Sequence, residues 1–317
     1  MVGFYLKCLV LVALALLLQY AVGEKNADTI LPKIDLETQA KSLKTPGAFR
    51  VGFLGDSTIA TVAHTDTDHE SISDKFLALN PGIRVLKMDN KGWHTEVQRD
   101  ACRYLHKQGA DPDLWILPVN LRAFSFGWSQ SPNLSFMPGR IRWAYDDWLP
   151  PQYYRPLSVF KWVNPAPKSV EEFNVELKQY RQSLARQEKG WDDRKRDFFE
   201  SYTQPIAPDH PRLQALRELL ELYKGSKTRV LVYLVPLDYG WGMQELGEAF
   251  RAPVESNVAL LAKLCREQQA LFLDLHSALG PERFSWQEEG VISEHVDAQG
   301  RAMVAHWITQ ELRKGSQ

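Results

Sequence analysis

Five short apolar runs punctuate the chain, and each stops at a turn-forming or polar residue. Residues 50–54 (RVGFL) stop at Gly55-Asp56-Ser57, 83–88 at Asp89-Asn90-Lys91-Gly92, and 114–119 at Asn120. Residues 229–235 (RVLVYLV) stop at Pro236-Leu237-Asp238, and 270–275 form the last run. Runs this short without polar alternation predict strands buried on both faces. Between them, apolar positions recur at helical spacing over 71–79, 95–108, 213–223, 256–269 and 298–314. Strands alternating with helices predict a parallel sheet covered on both sides, a three-layer α/β domain built from 49–120 and 211–317. Ligands of such sheets sit beyond the carboxyl ends of the strands, where Ser57, Gly92 and Asn120 all fall.

The rhythm breaks over 121–210, too long for an ordinary connection and therefore read as an insertion. Its first half is rich in aromatics, among them Phe126, Trp128, Trp143, Tyr145 and Trp148, and residues 169–202 form a charged helical stretch. The aromatics read either as the private core of the insertion or as a platform for sugar rings or acyl chains. Trp93, Trp128 and Trp143 are the candidate substrate-facing rings.

At the amino end, Lys7 precedes an apolar run over 8–18, followed by Ala21-Val22-Gly23 and then polar residues. This reads as a signal peptide over 1–23, with an uncleaved anchor as the rival. Either reading places the protein in the periplasm or outside the cell, touching membrane only through a retained amino terminus. Residues 24–48 read as a polar tether.

Composition narrows the classes further. With 38 Lys and Arg against 39 Asp and Glu, the 317-residue chain carries a net charge of −1 and offers no electrostatic case for nucleic acid. Beyond Cys8, the thiols are Cys102 and Cys265. They can pair in an oxidising compartment or serve as small hydrophobes in helices. No cysteine or histidine cluster suggests a metal, and no cofactor is expected.

An apolar strand ending in Gly-Asp-Ser before a helix exposes a nucleophile, although Asp56-Ser57 also suits a helix cap. Ser57 comes with companions. Gly92 offers an unobstructed backbone N–H, Asn120 a side-chain amide for the same oxyanion, and His295 lies just before the final helix. His94 suits the pocket wall or the surface. Asp274, ending the fifth strand, suits an approach to His295 or a cap on the following turn.

These blocks, FLGDST around Ser57, NKGWH around Gly92, PVNLR around Asn120 and EHVDAQG around His295, resemble the SGNH hydrolases, or GDSL-like esterases. The resemblance covers about 49–120 and 228–312. It implies a flavodoxin-like sandwich with a mainly parallel five-stranded sheet. It also implies Ser57 as nucleophile, His295 as general base, and an oxyanion hole of the Ser57 N–H, Gly92 and Asn120. One position departs from the family: the acid three residues before the histidine is Ile292 here. Glu294 or Glu289 substitutes, a backbone carbonyl orients the ring in a Ser/His dyad, or the site is silent.

The function this implies is an exported serine esterase or O-acyltransferase acting on acyl, above all acetyl, esters of envelope or extracellular glycans. Envelope polysaccharide machinery is the expected company. A lipase or thioesterase is the enzymatic alternative, and a silent glycan-binding module or scaffold is the other.

Overall fold

In the computed structural model the described residues are 36–45, 47–60, 66–89, 93–129, 175, 179, 192–286 and 292–314. Strands β1 (Arg50–Gly55), β2 (Arg84–Asp89), β3 (Leu114–Val119), β4 (Arg229–Leu234) and β5 (Leu271–Leu273) form one sheet in the order β2-β1-β3-β4-β5. Every pairing in it is parallel. This is the expected α/β architecture. The signal-peptide segment and most of the aromatic insertion, Trp143 included, lie outside the described residues.

The three central strands β1, β3 and β4 are almost wholly apolar because both faces are covered, whereas the flanking β2 carries Arg84, Lys87 and Asp89. Residues 51–55 of β1, all six of β3 and residues 230–234 of β4 are buried. Each fully buried large aliphatic or aromatic side chain contributes roughly 1.5–3 kcal/mol before the cost of ordering the chain. Helix α3 (Ile72–Leu79) packs with α10 (Ala298–Lys314), and α4 (Thr95–Lys107) with α7 (Pro211–Tyr223). The β1–β2 crossover runs one way and the β2–β3 crossover the other, so right-handed connections put α3 and α4 on opposite faces.

That reversal creates a switch point between β1 and β3, beyond whose carboxyl ends a crevice is expected. Three other helices frame the same end: α2 (Ser57–Ala60), α5 (Phe126–Ser129) and α6 (Asp193–Tyr202). Helix α6 packs on α5, on α8 (Tyr239–Leu246) and on α9 (Glu248–Glu267), and so belongs to the sandwich.

Two expectations change. Residues Leu36–Lys44 form helix α1 where a tether was expected, because Leu36, Ala40 and Leu43 make an i, i+4, i+7 stripe that is buried. Helix α9 starts at Glu248, ahead of the expected 256, and carries Pro253 within it. Gly247, at φ +57, closes α8 and opens α9 in a conformation that favours glycine. Cys102 and Cys265 are both free and buried, which settles their alternative in favour of small hydrophobes.

Candidate active site

Ser57 stands two residues past the end of β1, after Asp56, and is the first residue of α2. The cap on this turn comes from Asp56, whose Oδ1 accepts from the Thr58 N–H at 2.8 Å and the Thr58 hydroxyl at 2.6 Å. The capping role anticipated for the Asp-Ser pair therefore falls to Asp56, and Ser57 is left only part-buried at the strand end. Burial raises the Asp56 carboxyl above the ordinary carboxylate range. The Thr58 hydrogen bonds oppose this, the Glu294 charge adds to it, and Arg122 opposes it. Glu294 and Arg122 thus lie within electrostatic reach of the Asp56–Ser57 turn.

Asn120 follows β3, the strand beside β1, and is 8% exposed. Its Oδ1 accepts from the Arg122 N–H at 2.9 Å, capping a 3-10 turn over Leu121–Phe124. Using the oxygen as the cap leaves the Nδ2 end as the donor end, the polarity an oxyanion requires. Gly92, the third expected contributor, lies outside the described residues.

His295 lies in a short antiparallel pairing. Phe284 and Val296 form a bridge, and the His295 carbonyl accepts from the Ser285 N–H at 3.3 Å. The Asp297 N–H donates to Arg283 O at 2.9 Å, and the Arg283 and Asp297 side chains pair at 2.8 Å. Arg301, wholly buried, donates to Val296 O at 2.9 Å, pairs with Asp66 at 2.9 Å, and donates to the carbonyls of Glu70 and Asp68. The His295 segment is thus joined to the loop that follows α2.

On its other side the segment meets Arg122. The Arg122 Nη1 donates to Ile292 O, and its Nε stands 3.2 Å from Glu294 Oε1, which also accepts from the Tyr202 hydroxyl at 2.6 Å. Glu294 is 2% exposed, and Tyr202, on α6, is also buried. The structure thus gives Glu294 Oε1 to Arg122 and Tyr202. Three residues before His295, Ile292 turns its backbone carbonyl to Arg122. Glu289 lies outside the described residues.

Of the three candidate rings, Trp128 is 44% exposed and presents a face. Trp93 is 1% exposed and sits in the interior, and Trp143 is not among the described residues. The Arg122 guanidinium lies 4.6 Å from the Trp128 ring centroid. Arg212, buried on α7, fixes the main chain there, donating to Trp128 O at 2.6 Å and to Ala123 O. Burial lowers the Arg212 pKa to about 10, against the opposing charges of Glu96 and Asp56.

Asp274 does cap its turn, accepting from the His276 N–H at 3.2 Å, and its Oδ1 also meets His276 Nδ1 at 2.6 Å. His94 caps α4 only in backbone position and stands 3.4 Å from Glu96. Sequence reasoning missed Arg122, Tyr202, Arg212 and Arg301. Arg122 had one signal, its place two residues after Asn120; the others act across long separations that no local pattern shows.

The fold and site together define a doubly wound α/β domain with a serine and an asparagine flanking the switch point and a histidine segment tied to the asparagine turn. No family model matches the chain, and no curated protein does. The chain is similar to solved structures of an acetylxylan esterase from Geobacillus stearothermophilus (16% identity, 84% of this chain and 95% of that one, TM-score 0.41). It is also similar to a GDSL-like lipase from Bacteroides thetaiotaomicron (13%, 93% and 99%, TM-score 0.40). A third is a carbohydrate acetylesterase family member from Sinorhizobium meliloti (12%, 84% and 97%, TM-score 0.38). These are distant likenesses, and the fold assignment rests on strand order and register.

Proposed function

We propose that the protein is an SGNH-type serine ester hydrolase. In this reading Ser57 attacks an acyl carbonyl and His295 takes the hydroxyl proton. The Ser57 N–H, Gly92 N–H and Asn120 Nδ2 then hold the oxyanion, and the acyl group passes to water or to another hydroxyl. The observation that carries the reading is the placement of Ser57 and Asn120 on adjacent strand ends at the switch point, with the segment before His295 bound to the Asn120 turn by Arg122. Glu294 Oε1 is committed to Tyr202 and Arg122, whereas its Oε2 is buried with no hydrogen-bond partner among the described residues, so a Ser/His dyad and Glu294 as third member both stay within this reading.

The substrate class in this proposal is an acyl ester, above all an acetyl ester, of an envelope or extracellular glycan. It draws on the amino-terminal apolar segment for export and on the part-exposed Trp128 for a ring surface beside the site. No described helix is long and apolar enough to cross a membrane.

The test is labelling with a fluorophosphonate probe and turnover of p-nitrophenyl acetate by the wild type, Ser57→Ala and His295→Ala. Both signals are expected in the wild type and absent in the two variants. A folded wild type that neither labels nor turns over would make the protein a silent module and overturn the proposal.

A further inference from the structure

We infer that Arg122 is a positioning residue that fixes the His295 segment and Trp128 to the Asn120 strand end; its catalytic consequence rests on the ester-hydrolase reading above. The argument starts from how many partners one buried guanidinium serves. Arg122 is 9% exposed, and its own N–H sits on the Asn120 side-chain oxygen. Its Nη1 holds Ile292 O, its Nε faces Glu294 Oε1 at 3.2 Å, and its face lies 4.6 Å from the Trp128 centroid. These partners come from three places: the turn after β3, the segment before His295, and the rim helix α5.

Only a planar, permanently charged fork can serve a carbonyl, a carboxylate and an indole face at once, so lysine is not an equivalent. Stability alone is a weak reason to keep such a group, because a buried ion pair gains little over well-packed apolar residues of similar volume. Glu294 shows where the constraint is directed. It is 2% exposed, its Oε1 serves Arg122 and Tyr202, and it is the residue immediately before His295. Arg301 holds Val296 O on the far side, so the backbone flanking His295 is held by an arginine at each end. Losing one end lets the imidazole drift, and misplacement by about 1 Å costs on the order of 10²-fold in rate.

The experiment compares wild type, Arg122→Lys, Arg122→Met and Tyr202→Phe in p-nitrophenyl acetate kinetics and in amide hydrogen exchange. Arg122→Met is expected to lower kcat by about 10²-fold, with a smaller change in KM. Arg122→Lys is expected to recover part of that loss, because it restores the charge facing Glu294. Tyr202→Phe, which removes one hydroxyl and keeps the ring, is expected to lower kcat by a few fold and covers the case in which Arg122→Met does not fold. Exchange of the amides over 293–297 is expected to quicken at least tenfold in Arg122→Met and Arg122→Lys while β3 and β4 stay protected. Unchanged exchange over 293–297, or kcat within twofold of an active wild type in both arginine variants, overturns the inference. If the wild type shows no Ser57-dependent turnover, the ester-hydrolase reading fails on that result. The exchange data then still decide whether Arg122 holds the segment.

Discussion

Asn120 carries two separable jobs on one amide. The oxygen caps the 3-10 turn, and the nitrogen is the proposed oxyanion donor. Asn120→Asp keeps an oxygen for the Arg122 N–H but puts a carboxylate oxygen where the donor stood. It is expected to retain stability and lose about 10²–10³-fold in kcat. Asn120→Ala loses both, so kcat falls as far and stability by about 1 kcal/mol as well. Steady-state kinetics with urea unfolding separates the two. The candidate chemistry was legible at this scale, since Ser57, Asn120 and His295 stand out by residue type and place in the chain. Glu294 was legible as a candidate acid, but its burial and its partners were not, because Tyr202 and Arg122 lie 92 and 172 positions before it. Gly52 shows the same limit in the core: a Cβ there would stand 2.2 Å from the Trp115 ring, a contact created only when β1 and β3 pair.

Among the elements, those with strong periodicity were readable and those with mixed signals were not. Strand β3 and helix α10 lie where the pattern placed them, because an unbroken apolar run or a long helical stripe has one good solution. Helix α1 was hidden by its polar majority, although Leu36, Ala40 and Leu43 share a face and all three are buried. Arg50 Nη1 donates to Leu43 O and Arg84 Nη1 to Ser42 O at 3.3 Å, which ties the end of α1 to the starts of β1 and β2. Leu43, with no exposed surface, is expected to cost about 2–5 kcal/mol on Leu43→Ala, read by urea unfolding. A true tether would show no change. The start of α9 was obscured by Pro253, a usual breaker, which the helix absorbs in its second turn.

Across the molecule, the charge pairs set how stability depends on pH. Asp113 is held below its ordinary 3.8, first by the hydrogen bond from Arg50 and despite some burial. A depressed carboxyl contributes stability that is complete above the unfolded value and is lost as pH falls through the folded one, so this limb lies below about pH 4. His276 moves the other way. Burial opposes its charge, but the Asp274 hydrogen bond and the Asp274 and Glu255 charges outweigh it and raise the pKa above 6.5. A raised histidine contributes stability that is complete below about 6.5 and is lost as pH rises through the folded value. Thermal unfolding by circular dichroism is expected to show Tm falling above pH 6.5 in the wild type, and falling less over that range in His276→Gln. Equal alkaline slopes in the two proteins would refute the assignment.

The sequence by itself determined the layered α/β architecture, because short, mainly apolar runs alternating with helical stripes can bury themselves in few other ways. It also determined that Ser57 and Asn120 lie at strand ends, since that follows from where each run stops. Only the tertiary structure decided the strand order β2-β1-β3-β4-β5, and with it that Ser57 and Asn120 flank one switch point. It likewise decided that Arg122 and Arg301 hold the backbone on either side of His295. The physical reason is range. Propensity and periodicity act over a few residues, whereas a buried guanidinium takes whichever carbonyls and carboxylates the packed chain brings within reach, however far apart they lie in sequence.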